Sequence, residues 1–395
     1  MNHLTDVDVQ NKRVLVRVDF NVPIEDGQVK DDTRLQAVLP TLEYLQKQGA
    51  KIILCSHLGK PKGKKVKELS LAPVAKKLSK ILNKNVMFCP ECIGDEVKKT
   101  IDGLSAGDML LLENLRFHPG EQANDKEFAR NLGELADVYV NDAFGVAHRE
   151  HASVCGVTSF VPECCAGFLL QKEIDYLSKV LKSPKRPFVA VLGGSKVSSK
   201  LGVLYAFIDK VDKIIVGGAM ANTFLAAQGY CLGRSKVEQE LFQEALEIIV
   251  KAKDKKVGFY LPVDFICGTG VKEKIGKGVC PFQEVPANEM ALDIGPATSF
   301  LYAEVLKDAK SVVWNGPMGA FENSAFAQGS LNLAEDIARV DGLTVVGGGD
   351  TDALVHRAGL RDKYSFISTG GGSFLRFMEG HPLPALVALE NCAQK

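Results

Sequence analysis

Two sets of residues in this chain have types and spacing suited to chemistry, and the sets differ in kind. In the first half, Asp19, Asn21, His57, Lys60, Arg116, His118, Asn141, Asp142, His148 and Arg149 follow short apolar runs, and Arg34 stands just before the first helical stretch. The planar guanidinium fork matches carboxylate and phosphate oxygens, so cations gathered at one sheet edge suit a small polyanion. Taken singly, each reads as a surface charge or a cap; their shared position is what carries the inference. In the second half the same positions hold glycine: Gly193-Gly194, Gly217-Gly218, Gly316, Gly347-Gly348-Gly349 and Gly370-Gly371-Gly372. Glycine before a helix lets backbone N–H groups approach an anion while the helix dipole favours negative charge, as in a nucleotide polyphosphate site. Lys196 and Lys200, four apart, are expected on one face of a helix start, within joint reach of phosphate. Asp350, directly after three glycines, offers a carboxylate to Mg²⁺ or serves as a plain helix N-cap.

Several chemistries are disfavoured by spacing. Gly59-Lys60 and Gly63-Lys64 lack the Walker arrangement, and no GxGxxG opens a helix, which argues against a P-loop NTPase and a Rossmann dehydrogenase. His148-Arg149-Glu150-His151 is not HExxH, and no GxSxG elbow follows a strand. Cys89-Pro90-Glu91-Cys92 has no second CxxC and no His at finger spacing, so zinc or redox work is not expected there.

The elements that must position these residues alternate. Apolar, β-branched runs at 14–20, 51–56, 86–89, 109–113 and 138–141 predict strands in the first half. Runs at 188–192, 213–216, 259–263, 311–314, 343–346 and 364–368 predict strands in the second. Their continuous apolar character suits parallel strands buried on both faces. Helical periodicity lies at 35–48, 71–82, 125–136, 237–251, 299–308 and 325–339. The expected fold class is α/β, with two doubly wound, Rossmann-like parallel-sheet lobes joined by a hinge helix. Ligands in such sheets bind beyond the carboxyl ends of the strands, where the candidate residues stand. The expected boundaries are 1–170 for the first lobe, 171–183 for the connecting helix, ended by Ser183-Pro184, and 184–374 for the second lobe.

Composition bounds the rest. The chain has 395 residues, 46% hydrophobic and 24% charged, with Lys plus Arg and Asp plus Glu at 48 each. No global field points to nucleic acid or acidic lipid, so neither partner is expected, and any anion site must be local. No apolar run approaches a bilayer span, and the polar start resembles neither a signal nor a transit peptide, which predicts a cytoplasmic protein with no membrane partner. Cys55, Cys155, Cys231 and Cys267, in apolar surroundings, are expected to pack as small hydrophobes. Trp314, in an apolar run, is expected in core or pocket wall.

Collected in order, the motifs carry a resemblance. Arg17-Val18-Asp19-Phe20-Asn21-Val22-Pro23, Ser56-His57-Leu58-Gly59, Glu113-Asn114-Leu115-Arg116-Phe117-His118 and Asn141-Asp142-Ala143-Phe144-Gly145 resemble the phosphoglycerate kinase family. So do Gly193-Gly194-Ser195-Lys196-Val197, Trp314-Asn315-Gly316-Pro317-Met318-Gly319, Gly347-Gly348-Gly349-Asp350-Thr351 and Ser368-Thr369-Gly370-Gly371-Gly372. The resemblance implies transfer of the acyl phosphate of 1,3-bisphosphoglycerate to Mg·ADP, giving 3-phosphoglycerate and ATP; the neutral charge balance makes a monomer the simplest expectation. It implies a triose-binding set of Asp19, Asn21, Arg34, His57, Lys60, Arg116 and Arg149. It implies a nucleotide set of Gly193, Lys200, Gly217, Gly218, Asn315, Pro317, Met318, Glu322, Gly347, Gly348, Gly349, Asp350 and Thr351, with Asp350 on Mg²⁺. Arg34, Lys196, Gly371 and Gly372 are implied around the transferring group, complete only when the lobes close. It also implies that residues 375–395 return to the first lobe. Lys60 stands where the family has Arg, Ser199 where an acidic residue is common, Asn222 where an aromatic is usual, and Arg376 where Glu is common. A noncatalytic nucleotide-binding or interaction protein that kept the fold is the competing expectation. A transporter's two-lobed solute receptor is a further one, which the missing signal peptide disfavours.

Overall fold

The computed structural model describes residues 1–394. The chain divides into two compact units: Met1–Asp175 together with the residues from Pro382 onward, and Tyr176–His381.

The first unit is built on a seven-stranded sheet. Its order is Asn2–His3, Glu163–Ala166, Val138–Asp142, Arg13–Val18, Lys51–Cys55, Met109–Leu112 and Val86–Cys89. Every pairing is parallel. The central strands are apolar along both faces, and Val14, Val16, Ile52, Leu54, Leu111, Val138 and Val140 join one core with helix residues Leu35, Leu42, Leu78 and Val74. The strand Glu163–Ala166 escaped the sequence reading because Glu-Cys-Cys-Ala has no β-branched residue; pairing with Val138–Asp142 makes it a strand.

The second unit carries a six-stranded parallel sheet in the order Gly258–Tyr260, Lys213–Val216, Phe188–Leu192, Ser311–Asn315, Leu343–Gly347 and Phe366–Ile367. The run at 259–263 ends early, at Tyr260. The chain then enters a separate antiparallel sheet, Gly278–Pro281, Asp264–Gly268 and Met290–Ile294, which was not expected from the sequence. Asp264–Gly268 is largely buried, Met290–Ile294 partly so and Gly278–Pro281 mostly exposed, so no common pattern marks the three strands.

The predicted helix at 35–48 is two helices, Thr33–Ala37 and Leu39–Lys47, with Pro40 in the first turn of the second, where its missing N–H costs nothing. The helix predicted from 237 starts at Phe242, after the turn Gln239–Leu241. The connecting helix runs Phe168–Lys182, and the two units divide within it. It begins three residues before the expected Gln171 because side chains satisfy its open first turn: Phe168 N donates to Thr41 Oγ1 at 2.9 Å and Leu170 N to Asp142 Oδ1 at 3.0 Å.

The chain returns to the first unit at Pro382, not at 375. Helix Gly371–Met378 instead packs on helix Leu201–Ile208 of the second unit, with Phe374 and Met378 buried. Helix Pro384–Cys392 then lies on Glu163–Ala166 and the turn Gly156–Ser159. Two cysteine expectations are corrected. Cys267 is bonded to Cys280, and Cys231 is exposed. Cys164 is bonded to Cys392, which fastens the last helix.

Candidate active site

In the first unit the strand Arg13–Val18 delivers the chain to Asp19, whose carboxylate is the local hub. Oδ2 takes the guanidinium of Arg34 at 2.5 Å, and Oδ1 accepts the backbone N–H of Asn21 at 3.3 Å. Asn21 Oδ1 in turn accepts from Gly59 N at 2.8 Å, while Arg116 Nη1 donates to Gly59 O at 2.7 Å. The loop Ser56–Gly59 is thereby clamped from both sides. His57, nearly sealed from solvent, has Nδ1 3.2 Å from Arg17 Nη2 and 3.8 Å from Asp19 Oδ1. Asp19, Asn21 and Arg34 are thus joined directly, Arg116 joins them through the backbone of Gly59, and His57 stands beside Asp19. Arg149 is exposed, close enough for its charge to act on Arg116; Lys60 is exposed.

Charge crowding shifts these groups. Burial first, then Arg149 and Arg17, lower the Arg116 guanidinium to about 10. Burial, then Arg17, Arg116 and Arg34, push His57 well below its ordinary value, so it is neutral at physiological pH. His151 is lowered to about 3 by burial and then Arg116 and Arg17. The buried Arg116 Nε has no hydrogen-bond partner among the described residues. A cation-rich cluster with an unpaired buried donor suits an anionic ligand.

Three residues of the sequence-derived cluster serve elsewhere. His118 stacks on Phe128, ring centroids 5.0 Å apart. Asn141 Nδ2 donates to the Tyr139 hydroxyl and Oδ1 accepts from Ala143 N. Asp142 is fully buried, accepts from Leu170 N, and is raised to about 6 by burial. They hold the frame. Sequence reasoning missed the layer beneath the cluster: Arg17, Glu121, His151 and Ser153, all buried. An arginine inside an apolar strand was the available signal.

In the second unit the site is mostly backbone. Gly193 N donates to Asn315 O at 3.0 Å, Gly194 N to Pro317 O at 2.9 Å and Gly218 N to Met318 O at 3.0 Å, which draws three loops together. Only glycine fits at two of these crossings. A Cβ on Gly193 would lie 2.2 Å from Pro317 O, and one on Gly218, whose φ is +66°, would lie 2.6 Å from Gly194 O. Two more glycine-led helices begin close by, Gly349–Arg357 and Gly371–Met378; a Cβ on Gly371 would touch Gly348 Cα at 3.4 Å.

Lys196 and Lys200 do not share a helix face. Helix Leu201–Ile208 starts after them, and Lys200 N closes a turn onto Val197 O at 2.8 Å. Lys196 is exposed. Lys200 is buried, bonding Asn315 O at 3.0 Å and Asn315 Oδ1, and burial lowers it to about 8 against the opposing pull of Asp350. Glu238, also missed, fixes the backbone after Lys196 by accepting from Val197 N at 2.5 Å and from Ser198 N and Oγ. Asp350 is exposed in the first helical turn, and the N-cap is Gly348, so the plain-cap reading fails. Asn315 Nδ2 reaches Gly347 O at 2.6 Å, and Thr351 Oγ1 accepts Gly316 N at 2.8 Å. These two side chains tie loop to loop. Glu322 lines a cavity of about 960 Å³ that it shares with Val271, Lys272, Lys274 and Asn323. Trp314 is core, its Nε1 donating to Gly316 O.

Glycine-cradled helix starts on a parallel sheet, with a buried lysine among them, and a separate cationic cluster on a second such sheet define a phosphotransferase of the two-unit α/β kind. The chain belongs to the phosphoglycerate kinase family, whose profile matches residues 4–381. It is 53% identical over 391 residues to the phosphoglycerate kinase of Desulfosudis oleivorans, covering 99% of each chain. It is 53% identical over 386 residues to that of Moorella thermoacetica, covering 98% of each. Among solved structures, phosphoglycerate kinase from Coxiella burnetii superposes with a TM-score of 0.89 at 43% identity, covering 99% of each chain. The enzyme from Pyrococcus horikoshii OT3 does so at 0.89 and 34%, covering all of both.

Proposed function

We propose that the chain catalyses reversible phosphoryl transfer between 1,3-bisphosphoglycerate and Mg·ADP, giving 3-phosphoglycerate and ATP, as a glycolytic enzyme. The observation that carries this reading is the family match over nearly the whole chain. The first-unit cluster of Asp19, Asn21, Arg34, His57 and Arg116, with Lys60 and Arg149 at its rim, binds the triose through its carboxylate and phosphate oxygens. The second unit takes the nucleotide. Gly193, Gly217, Gly218, Asn315, Pro317, Met318 and Glu322 form the adenosine side; Lys200 and Gly347–Thr351 face the phosphates.

Phosphoryl transfer asks for position and charge neutralisation, with little covalent work by the protein. Lys196 accompanies the transferred group, while Arg34 and the N–H groups of Gly371 and Gly372 add to its stabilisation. Mg²⁺ arrives on the nucleotide phosphates. Asp350 is a single exposed carboxylate in a helix's first turn, a donor set suited to a metal held mainly by phosphate oxygens. The two sets stand on different units, so we propose that transfer needs closure about helix Phe168–Lys182, which also keeps water from the acyl phosphate. Scattering with and without both substrates tests closure; unchanged dimensions would refute it. No helix among the described residues is long and apolar enough to cross a membrane; we place the reaction in the cytoplasm and the enzyme as a monomer.

The direct test runs the reaction backward: 3-phosphoglycerate with Mg·ATP, coupled to glyceraldehyde-3-phosphate dehydrogenase and followed by NADH loss. Turnover abolished by Lys196→Ala establishes the activity. A folded protein that binds nucleotide without turnover would instead be a noncatalytic binder.

A further inference from the structure

Beneath the triose cluster lies a buried relay whose proton positions are set by its two ends. Arg17 is fully buried and can only donate. Its Nε donates to Ser153 Oγ at 2.8 Å, and the Ser153 hydroxyl donates in turn to Glu121 Oε1 at 2.7 Å. Glu121, also fully buried, accepts Ser153 N on its other oxygen at 2.9 Å. Tyr139 OH holds Ser153 O at 2.7 Å, which prevents the serine from turning away. The second arm of Arg17 is the one that matters for the ligand: Nη2 stands 3.2 Å from His57 Nδ1. The Asp19 carboxylate is 3.8 Å from that nitrogen, beyond hydrogen-bonding range. A nitrogen facing an obligatory donor must be the bare one.

We propose that Arg17 is a positioning residue: it holds His57 as the neutral tautomer with its proton on Nε2, leaving Nε2–H as the ring's donor for an anionic substrate oxygen. This rests on the reading of the cluster as the triose site. The groups facing His57 are Arg17, Arg34, Arg116 and His151, all of which oppose its protonation, and Asp19. Substrate recognition by His57 is therefore a fixed hydrogen bond, not a titrating charge. Without Arg17 the ring, still buried and still faced by Arg116 and Arg34, would stay neutral but exchange its two tautomers.

The test is long-range ¹H–¹⁵N correlation spectroscopy on the full chain labelled at histidine, with His57→Gln assigning the signal. The wild type should show bare Nδ1 and protonated Nε2 from about pH 8 down to 5. In Arg17→Met, His57 should stay neutral but mix tautomers, and the KM for 3-phosphoglycerate should rise several-fold, a rise to which a further His57→Gln adds little. Arg17→Lys, which keeps a donor, should restore the wild-type tautomer. A proton on Nδ1 in the wild type, or an Arg17→Met spectrum identical to it, overturns the proposal. If Arg17→Met does not fold, Arg17→Lys decides, because loss of the tautomer there means that a donor at this place is not what fixes it. Absence of turnover with the tautomer as stated would refute the proposed reaction and leave the relay standing.

Discussion

The two units solve anion binding by opposite means. The first uses charged side chains, anchored by side chains beneath them: Asp19 on Arg34, Arg17 on His57, Glu121 and Ser153 on Arg17. The second uses backbone: glycine-led helix starts, crossed loops and one buried lysine against Asn315. A guanidinium fork reads the shape of a carboxylate or phosphate, so the first arrangement suits selection of one small acid. Rows of N–H groups accept any polyphosphate, so the second suits a common co-substrate. The price of the first is buried charge that must be balanced; that of the second is glycine that cannot be replaced.

The comparison breaks most visibly at the transferring group. Lys196→Ala should lower kcat by about 10²–10³-fold in the coupled assay with unchanged thermal stability, since the side chain is exposed. Activity within a few-fold of wild type would remove Lys196 from the chemistry. Next come the glycines. Gly193→Ala and Gly218→Ala should cost about 1–3 kcal/mol through overpacking and abolish nucleotide binding by calorimetry, while 3-phosphoglycerate binding persists. Loss of both affinities together would mean that the units do not bind independently.

Acid should separate the units. His57 and His151 are lowered in the folded state, so the unfolded chain holds the extra protons and their contribution is lost as pH falls below about 6.5. Buried Asp142 and Asp293 are raised to about 6 and about 7, so the folded chain holds the proton and gains stability as pH falls toward 4. The first unit carries both histidines against Asp142 and should weaken between about pH 6 and 4; the second carries Asp293 and should strengthen. Hydrogen exchange of Val140 and Val313 amides across that range checks the sign, and parallel trends would contradict it. The slope is at most about 1.4 kcal/mol per pH unit for each net proton. In the alkaline direction, Lys200 loses its charge near pH 8, so nucleotide affinity should fall between about pH 7 and 9 in the wild type and stay flat in Lys200→Met. Smallest is Lys60→Arg: an exposed fork replacing an exposed point charge should tighten 3-phosphoglycerate by less than about 1 kcal/mol.

Much of this was legible beforehand, for physical reasons. Parallel strands buried on both faces leave unbroken apolar runs, so ten of the eleven expected strands start within one residue of the predicted place; the eleventh, at 364–368, starts two residues late and shrinks to Phe366–Ile367. Glycine at the strand ends marked the phosphate loops because a crossing such as Gly193 over Pro317 admits nothing larger. The antiparallel sheet was not legible, since a mostly exposed strand such as Gly278–Pro281 lacks a clear apolar pattern. Nor was the separation of Lys196 from Lys200: a spacing of four meets on one face only if a helix is there, and Glu238, some forty residues on, holds that stretch as a turn.

The sequence by itself determined the α/β class, the two sets of strand-end residues and the family, because local pattern and contiguous motifs carry them. Tertiary structure decided which of those residues meet. His118, Asn141 and Asp142 turned to the frame, while Arg17, Glu121 and Ser153, drawn from distant stretches, took the places under the triose cluster. A buried charge needs a partner wherever the chain can supply one, and that choice is made in space, not along the sequence.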